Sequence, residues 1–173
     1  LAIIMNHIKY LLLLVFISSS LEMISQDTLG MKEVYIDNDL VYKMDGQRFT
    51  GLAQDKRKNG KLNYEEQYKD GVILWSNLYF NTKKKLISDK TLYHKYKLWV
   101  IEKEIRLRLS QDTLEVKTYN ENGEKVLLQQ YENNKLTYRC EYKGRKKHGK
   151  EFCYDDNGNE LVFEYINGKK VKE

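Results

Sequence analysis

The chain has no proline, only two cysteines and three histidines, and no glycine between Lys83 and Glu115. Without proline every residue keeps its backbone N–H, which suits uninterrupted strands. The histidines leave little room for metal or acid–base chemistry. His7 lies in an apolar N-terminal segment, His94 stands alone and His148 sits in the run Lys146-Lys147-His148-Gly149, so no pair has metal-ligand spacing. No nucleophile elbow is present, and neither remaining histidine has a recognisable triad motif around it. The acidic pairs Glu65-Glu66 and Asp155-Asp156 are adjacent in sequence. On a strand, adjacent side chains point to opposite faces, which excludes a simple carboxylate dyad. The sequence therefore predicts a protein that is not an enzyme, with no catalytic residue, no cofactor and no metal.

What the chain does have is aromatic area: 14 tyrosines, 5 phenylalanines and 2 tryptophans, too much buriable surface for a disordered chain. Its 30 basic and 25 acidic side chains give a formal net charge of +5, interspersed along the sequence. That pattern predicts a solvated, two-signed surface in preference to a dedicated polyanion groove.

Turn signals organise the rest. Six glycines follow Asn or Asp: Gly46, Gly60, Gly71, Gly123, Gly158 and Gly168. Asn157-Gly158 fits a two-residue type I′ turn, which would set Tyr154 opposite Leu161 and Phe152 opposite Phe163. By the same rule Asp45-Gly46 sets Tyr42 opposite Phe49, and Asn122-Gly123 sets Tyr119 opposite Val126. Paired turns recur with a repeat of roughly 20 to 24 residues, the range of repeat arrays. Tyr142-Lys143-Gly144, His148-Gly149-Lys150-Glu151, Tyr154, Asn157-Gly158 and Tyr165-Ile166-Asn167-Gly168-Lys169 resemble the variant MORN repeat. So do Thr50-Gly51, Asn59-Gly60-Lys61-Leu62 and Tyr68-Lys69-Asp70-Gly71. The likeness covers about residues 40–82 and 116–171. It implies stacked hairpins and a relation to YwqK-like antitoxins, and it leaves weak peripheral contact with acidic lipid head groups as a minor expectation.

The expected fold is all-β: stacked antiparallel hairpins forming an elongated MORN-like repeat sheet, as one domain over 26–173, irregular in 83–115. Within the sheet, Val34-Tyr35-Ile36 and Leu40 to Lys43 form strands around Asp37-Asn38-Asp39, and Val72 to Phe80 reads as a strand covered on both faces. Leu92, Tyr96 and Val100 stand at helical spacing, whereas Ile105, Leu107 and Leu109 alternate. Strands are expected after Leu98, with Ser110 to Thr113 as a hairpin loop. Before Leu98 the reading stays open, with room for a short helix near 86–98.

The basic run Arg145-Lys146-Lys147-His148, with Tyr142 and Tyr154 nearby, is the candidate interaction surface, placed in a hairpin loop. The expected partner is a protein. Nucleic acid is disfavoured, and with twelve residues from Tyr10 to Leu21 the longest apolar run is too short for a membrane span. Cys140 and Cys153 are expected to stay unbonded, because the register that merges the aromatic faces sets them on opposite faces.

The N-terminus reads as a signal peptide over 1–25, with Leu1-Ala2-Ile3-Ile4 as an upstream extension before Met5. Lys9 supplies the positive n-region, Tyr10 to Ile17 the apolar stretch, and Ser18-Ser19-Ser20 the small residues for cleavage. The expected protein is exported to the periplasm, cell surface or medium and acts as an interaction module, the alternative being an antitoxin-like neutraliser of a partner toxin. N-terminal sequencing of the secreted protein should find a chain beginning near Leu21 or Gln26; a cytoplasmic protein retaining Met5 would refute export.

Overall fold

A computed structural model describes residues 27–171. The segment read as a signal peptide and upstream extension lies outside the described residues. The chain is built almost entirely of strands, running from β1 (Asp27–Gly30), through the hairpin β2 (Val34–Asp37) and β3 (Leu40–Lys43), to β4 (Gly51–Lys56). Three more follow: β5 (Leu62–Lys69), β6 (Val72–Tyr79) and β7 (Ile87–Tyr93). The middle of the chain forms β8 (Ile101–Leu107), β9 (Thr113–Tyr119) and β10 (Lys125–Glu132). It closes with β11 (Lys135–Lys143), β12 (Lys146–Tyr154), β13 (Glu160–Ile166) and the two-residue β14 (Lys169–Lys170). A 3-10 turn at Met31–Glu33 is the one helical element among the described residues. Twelve strands make one sheet in sequence order from β4 to β14, with β1 added in parallel on the outer side of β4.

The predicted stack of antiparallel hairpins is therefore present, and 83–115 belongs to it. Leu92 lies in β7, where it faces Lys103 of β8, so the room left for a helix near 86–98 is not used. The irregularity lies in the connections, including the turn from His94 to Val100, in which Trp99 takes a positive φ of 61°, and in register shifts at Leu92/Tyr93 and Arg106/Leu107.

Several registers differ from expectation by one residue, and the cause is common to them. Only Gly158 of the Asn157-Gly158 pair has positive φ, 80°. Gly158 N–H donates to the Asp155 carbonyl at 3.0 Å and Asp155 N–H to the Asn159 carbonyl at 2.9 Å. This is a type I turn followed by a left-handed glycine, a three-residue loop and not the type I′ loop of two. Tyr154 thus faces Glu160, and Phe152 faces Val162. The same hydrogen-bond pair closes Lys43 to Gln47 and Asn120 to Glu124, so Tyr42 meets Arg48 and Tyr119 meets Lys125. Arg108 to Asp112 closes identically, with Gln111 at φ 71° in the glycine position, so Thr113 begins β9 and is not part of the loop. True two-residue loops occur at Asn38-Asp39, Asp70-Gly71, Asn133-Asn134 and Asn167-Gly168, where both residues have positive φ.

The core sits at one end of the sheet. The β2–β3 hairpin and the segment around Phe49 fold over β4 to β6 and bury Val41, Phe49, Ala53, Tyr68 and Ile73. Leu29, Met31, Val34, Tyr93 and Trp99 pack at its margin, and each fully buried Val, Ile or Phe contributes about 1.5–3 kcal/mol. Backbone bonds fasten the layers: Val41 N–H reaches the Gly71 carbonyl at 2.9 Å, and Gly71 N–H reaches the Phe49 carbonyl at 2.8 Å. Strand β6 is only partly covered on both faces. Ile73, Ser76, Asn77 and Tyr79 are buried, but Leu74 and Leu78 are exposed, because register shifts at Gln67/Tyr68 and Leu78/Tyr79 break the simple alternation.

Beyond β7 no second layer covers the sheet among the described residues: from residue 87 to 171 only Cys140 and Glu151 are buried. Both cysteines are free thiols, though not for the reason expected. Arg139 faces Phe152 and Cys140 faces Glu151, which puts Cys153 on the same face as Cys140, offset by two residues. Gly149, at φ 94°, lies in the bulge that produces this shift. Phe152 and Tyr154 consequently lie on the face opposite Tyr138 and Cys140, and the aromatic faces do not merge. Diagonal neighbours stand roughly 7–8 Å apart at Cα, beyond disulfide reach.

Among the glycines of the described residues Gly51 marks the tightest approach of a neighbouring backbone, because an added Cβ would lie 2.2 Å from the Asp27 carbonyl oxygen and 2.9 Å from the Phe49 ring. Gly51→Ala should cost about 2–4 kcal/mol, from backbone clash and φ strain together. Gly60→Ala, in a turn with nothing within 4 Å, should cost about 1–2 kcal/mol. Urea midpoints of the two variants check the order; equal losses would contradict the assigned packing of β1 against β4.

Candidate interaction surface

The predicted surface residues do not converge. The loop between β11 and β12 is Gly144-Arg145 alone, and Lys146, Lys147 and His148 belong to β12, so the basic run is mostly strand. The turn is tighter than the charge run suggested because Gly144 takes φ 59°. Tyr142 and Lys147 are cross-strand partners on one face. Arg145 is exposed in the loop, and the stem of Lys146 packs 3.7 Å from where a Cβ of Gly168 would stand. His148 Nδ1 accepts from Asn167 N–H at 3.4 Å. Tyr154 lies at the far end of β12 on the opposite face, edge-on to Phe152 at 5.2 Å, with the Lys135 ammonium 4.7 Å from its ring.

What the fold does assemble on the Tyr142 face is a set of aromatic rings, each overlaid by a lysine. Lys125 Nζ lies 3.6 Å from the Tyr142 ring centre and Lys170 Nζ 3.5 Å from that of Phe163. Lys147 Nζ stands 5.1 Å from Tyr165 and 5.9 Å from Tyr138. Beneath them is Glu151, 5% exposed. Tyr138 Oη donates to it at 2.6 Å, and the Lys147 ammonium donates to the same oxygen. Burial alone would raise the Glu151 carboxyl, but hydrogen bonds from Lys147, Tyr138 and Tyr165 outweigh it and hold the group below the usual carboxylate range. The bond to Glu151 in turn raises Lys147.

A matching arrangement occurs on the other face near the core. Glu65, 2% exposed, accepts from Tyr79 Oη at 2.7 Å, Gln54 Nε2 at 2.7 Å and Lys85 Nζ at 3.1 Å. These donors overcome its desolvation and lower its pKa. Glu66 points the other way, to Tyr64 Oη at 2.7 Å and to Tyr68 Oη, so the expected split of this pair holds. Between the two clusters a shallow depression of about 160 Å³ is lined by Asp89, Thr91, Glu104, Arg106, Glu115 and Lys117, smaller than the few hundred Å³ of an ordinary ligand pocket. Apart from Lys90, which also lines it, its charges are paired: Arg106 with Asp89 at 3.4 Å, and Lys117 with Glu115 at 3.4 Å and Glu104 at 3.8 Å. The bonds from Gln130 and Lys117 outweigh desolvation and hold Glu115 down, the opposite of what a general acid at neutral pH requires.

The densest charge lies elsewhere. Lys56 ends β4, the turn after it carries Arg57, Lys58 and Lys61, and the turn after β6 carries Lys83, Lys84 and Lys85. These turns are neighbours: Asn59 Nδ2 donates to Asn81 Oδ1 at 3.1 Å and Arg57 Nη2 to the Tyr79 carbonyl at 2.8 Å. Sequence reading missed this corner because each run is short. The available signal was the 22-residue offset of Asn59 from Asn81, one repeat of the hairpin pattern.

The lowered carboxyl of Glu151 gives a pH signature. Its ion pair and hydrogen bonds add stability that is full above the unfolded value of roughly 4.3 and is lost as pH falls through the lower folded value. Glu151→Gln should therefore be less stable than the parent at pH 7 by about 1–3 kcal/mol, with the gap closing in acid. Denaturation at pH 7 and pH 3 measures it; a gap unchanged at low pH would contradict the ionised assignment.

No protein-family model and no curated protein matches the chain. Among solved structures it is similar to a crystal structure of a GtfA/B complex bound to UDP and GlcNAc, with 10% identity and a TM-score of 0.35. The alignment covers 76% of this chain and 23% of that one, so this chain spans about a quarter of the length of the protein it aligns with.

Proposed function

We propose that the chain is an exported, non-catalytic repeat protein, MORN-like in its hairpin pattern, whose sheet faces serve as a protein-interaction module at the bacterial cell envelope or outside it. The observation that carries this reading is the single-layer sheet from residue 87 to 171, half-exposed on both faces apart from Cys140 and Glu151. Such a sheet offers a broad, preformed surface whose backbone is fixed by its own ladder, so a partner would bind without first ordering it. Aromatic rings and lysine stems supply the kind of contact on which protein interfaces concentrate their energy. The non-catalytic part of the reading is supported by the saturation of Glu65 and Glu151 by donors, and by the lowered pKa of both. Export rests on the N-terminal pattern of charge, apolar run and small residues. No feature of the sheet favours the antitoxin alternative.

A photo-crosslinking residue placed at Tyr142, Tyr165 or Tyr154 in the protein expressed in its own host tests the module reading. Adducts to one recurrent protein outside the cytoplasm, absent when the probe sits at Asn122, are expected. A cytoplasmic protein with no adduct from either face would overturn the proposal.

A further inference from the structure

The chain's formal net charge of +5 is not dispersed once the chain is folded. Outside residues 27–171 the sequence holds Lys9 and Lys172 against Glu22 and Glu173, so the described residues carry the same +5. The end of β4 and the two turns after β4 and β6 hold seven cations, against which stand two carboxylates, Asp55 of β4 and Glu65 of β5. That corner alone accounts for the whole excess, and the remainder of the sheet is balanced. Lys85 is paired with Glu65, and Arg57 is engaged as a staple on the Tyr79 carbonyl. Lys56, Lys58, Lys61, Lys83 and Lys84 take part in no ion pair among the described residues, and four of them, all but Lys61, are exposed.

We infer that this corner is the docking site for an acidic, extended segment of the partner protein, an inference that rests on the interaction-module reading and specifies its chemistry. The two turns are separated by two strand spacings, roughly 10 Å, and are cross-linked by the Asn59–Asn81 and Arg57–Tyr79 bonds. The lysines therefore form a short row on a fixed base. Each is a mobile point charge without the planar fork that favours bidentate phosphate binding. The one aromatic ring on either turn, Phe80, is half-buried, so a nucleic-acid base would find no exposed ring to stack on. Carboxylates spaced along a flexible peptide need neither feature. The corner already holds one carboxylate, Glu65, with both of its oxygens 3.1 Å from Lys85 Nζ.

The test measures fluorescence anisotropy of a labelled synthetic peptide of alternating glutamate and serine against the whole exported chain at low ionic strength. The parent should bind it, more weakly as salt rises. Lys58→Glu/Lys83→Glu/Lys84→Glu should lose at least about tenfold in affinity while keeping the parent circular dichroism. Arg145→Glu/Lys146→Glu, on the other basic run, should bind as the parent does. Equal loss in both variants, or none in the first, overturns the site. Tighter binding of oligothymidylate or of phosphatidylserine vesicles through the same lysines overturns the acidic-protein assignment. Self-association at low salt that the first variant abolishes also does so, and would name the Asp155-Asp156 turn of a second copy as the occupant. The module reading is scored separately: partner crosslinks from Tyr142, Tyr165 or Tyr154 that survive the triple substitution would sink this site and leave the module intact, whereas their absence from the parent would sink the module whatever the peptide does.

Discussion

From β8 to β13 each strand is held by its two neighbours in the ladder and, among the described residues, by no second layer above or below. The hydrophobic effect is correspondingly halved: a side chain on such a sheet loses water only on its flanks, and burial at about 25 cal/mol per Å² cannot reach the yield of a closed core. Stability has to come from the ladder, from cross-strand pairs and from contacts between successive turns. The cross-strand pairs are visible as tyrosine hydroxyls on carboxylates, Tyr119 on Glu104 at 2.7 Å and Tyr138 on Glu151 at 2.6 Å. The turn contacts recur one hairpin apart, with Gln111 bonded to the backbone of Ile87, Asn134 to Asp112 and Arg108 to the Tyr131 carbonyl. The two-layered core around Phe49 anchors one end of this ladder, and only there does the packing resemble that of an ordinary domain.

Fold class and turn positions were legible because alternation and Asx-Gly pairs are local signals, and from β4 to β14 the sheet is built by local pairing alone, whereas the parallel pairing of β1 with β4 is not local and left no such signal. Register was less legible. Asn157-Gly158 and Asn167-Gly168 look alike as dipeptides, yet the first ends a three-residue loop and the second is a two-residue loop. The difference lies two residues earlier. Asp155 stands at the first position of its turn and its Oδ1 accepts the N–H groups of Asn157 and Asn159 at 2.9 and 2.8 Å. Asn120 does the same for Asn122 and Glu124 at 3.0 and 2.9 Å. An Asx at the first position and a glycine at the fourth is the signature of a type I turn, and Tyr165, which stands two residues before Asn167, cannot supply that acceptor. Bulges were not legible at all. The shift at Gly149 depends on Glu141, whose carboxylate accepts the Lys150 N–H at 2.9 Å, a partner nine residues away.

The residues of the sequence-based surface do not all share one face, for a related reason. Adjacency in sequence puts strand residues on opposite faces, so Lys146, Lys147 and His148 diverge, whereas residues one hairpin repeat apart converge. The turns at Asn59 and Asn81 show this, separated by 22 residues yet in hydrogen-bond contact. A net charge summed along the chain is blind to such convergence. Burial was equally hidden: Glu65 and Glu66 were expected on opposite faces, but nothing in their neighbours signals that Glu65 is buried while Glu66 is half-exposed.

The lysines that lie over aromatic rings bear on how a sheet with two half-exposed faces would serve the proposed interaction. A lysine stem covers apolar area while its ammonium stays in water, so Lys125 on Tyr142 and Lys170 on Phe163 mask rings that would otherwise invite non-specific contact. Displacing one such cover costs about 0.5–1 kcal/mol. A partner that uncovers a single ring gains little over that cost. One that spans several rings and offers carboxylates to the displaced ammonium groups recovers it at each position. On the proposed reading the faces would therefore discriminate by breadth of contact and by acidity together, the same preference inferred for the basic turns at the other end of the sheet.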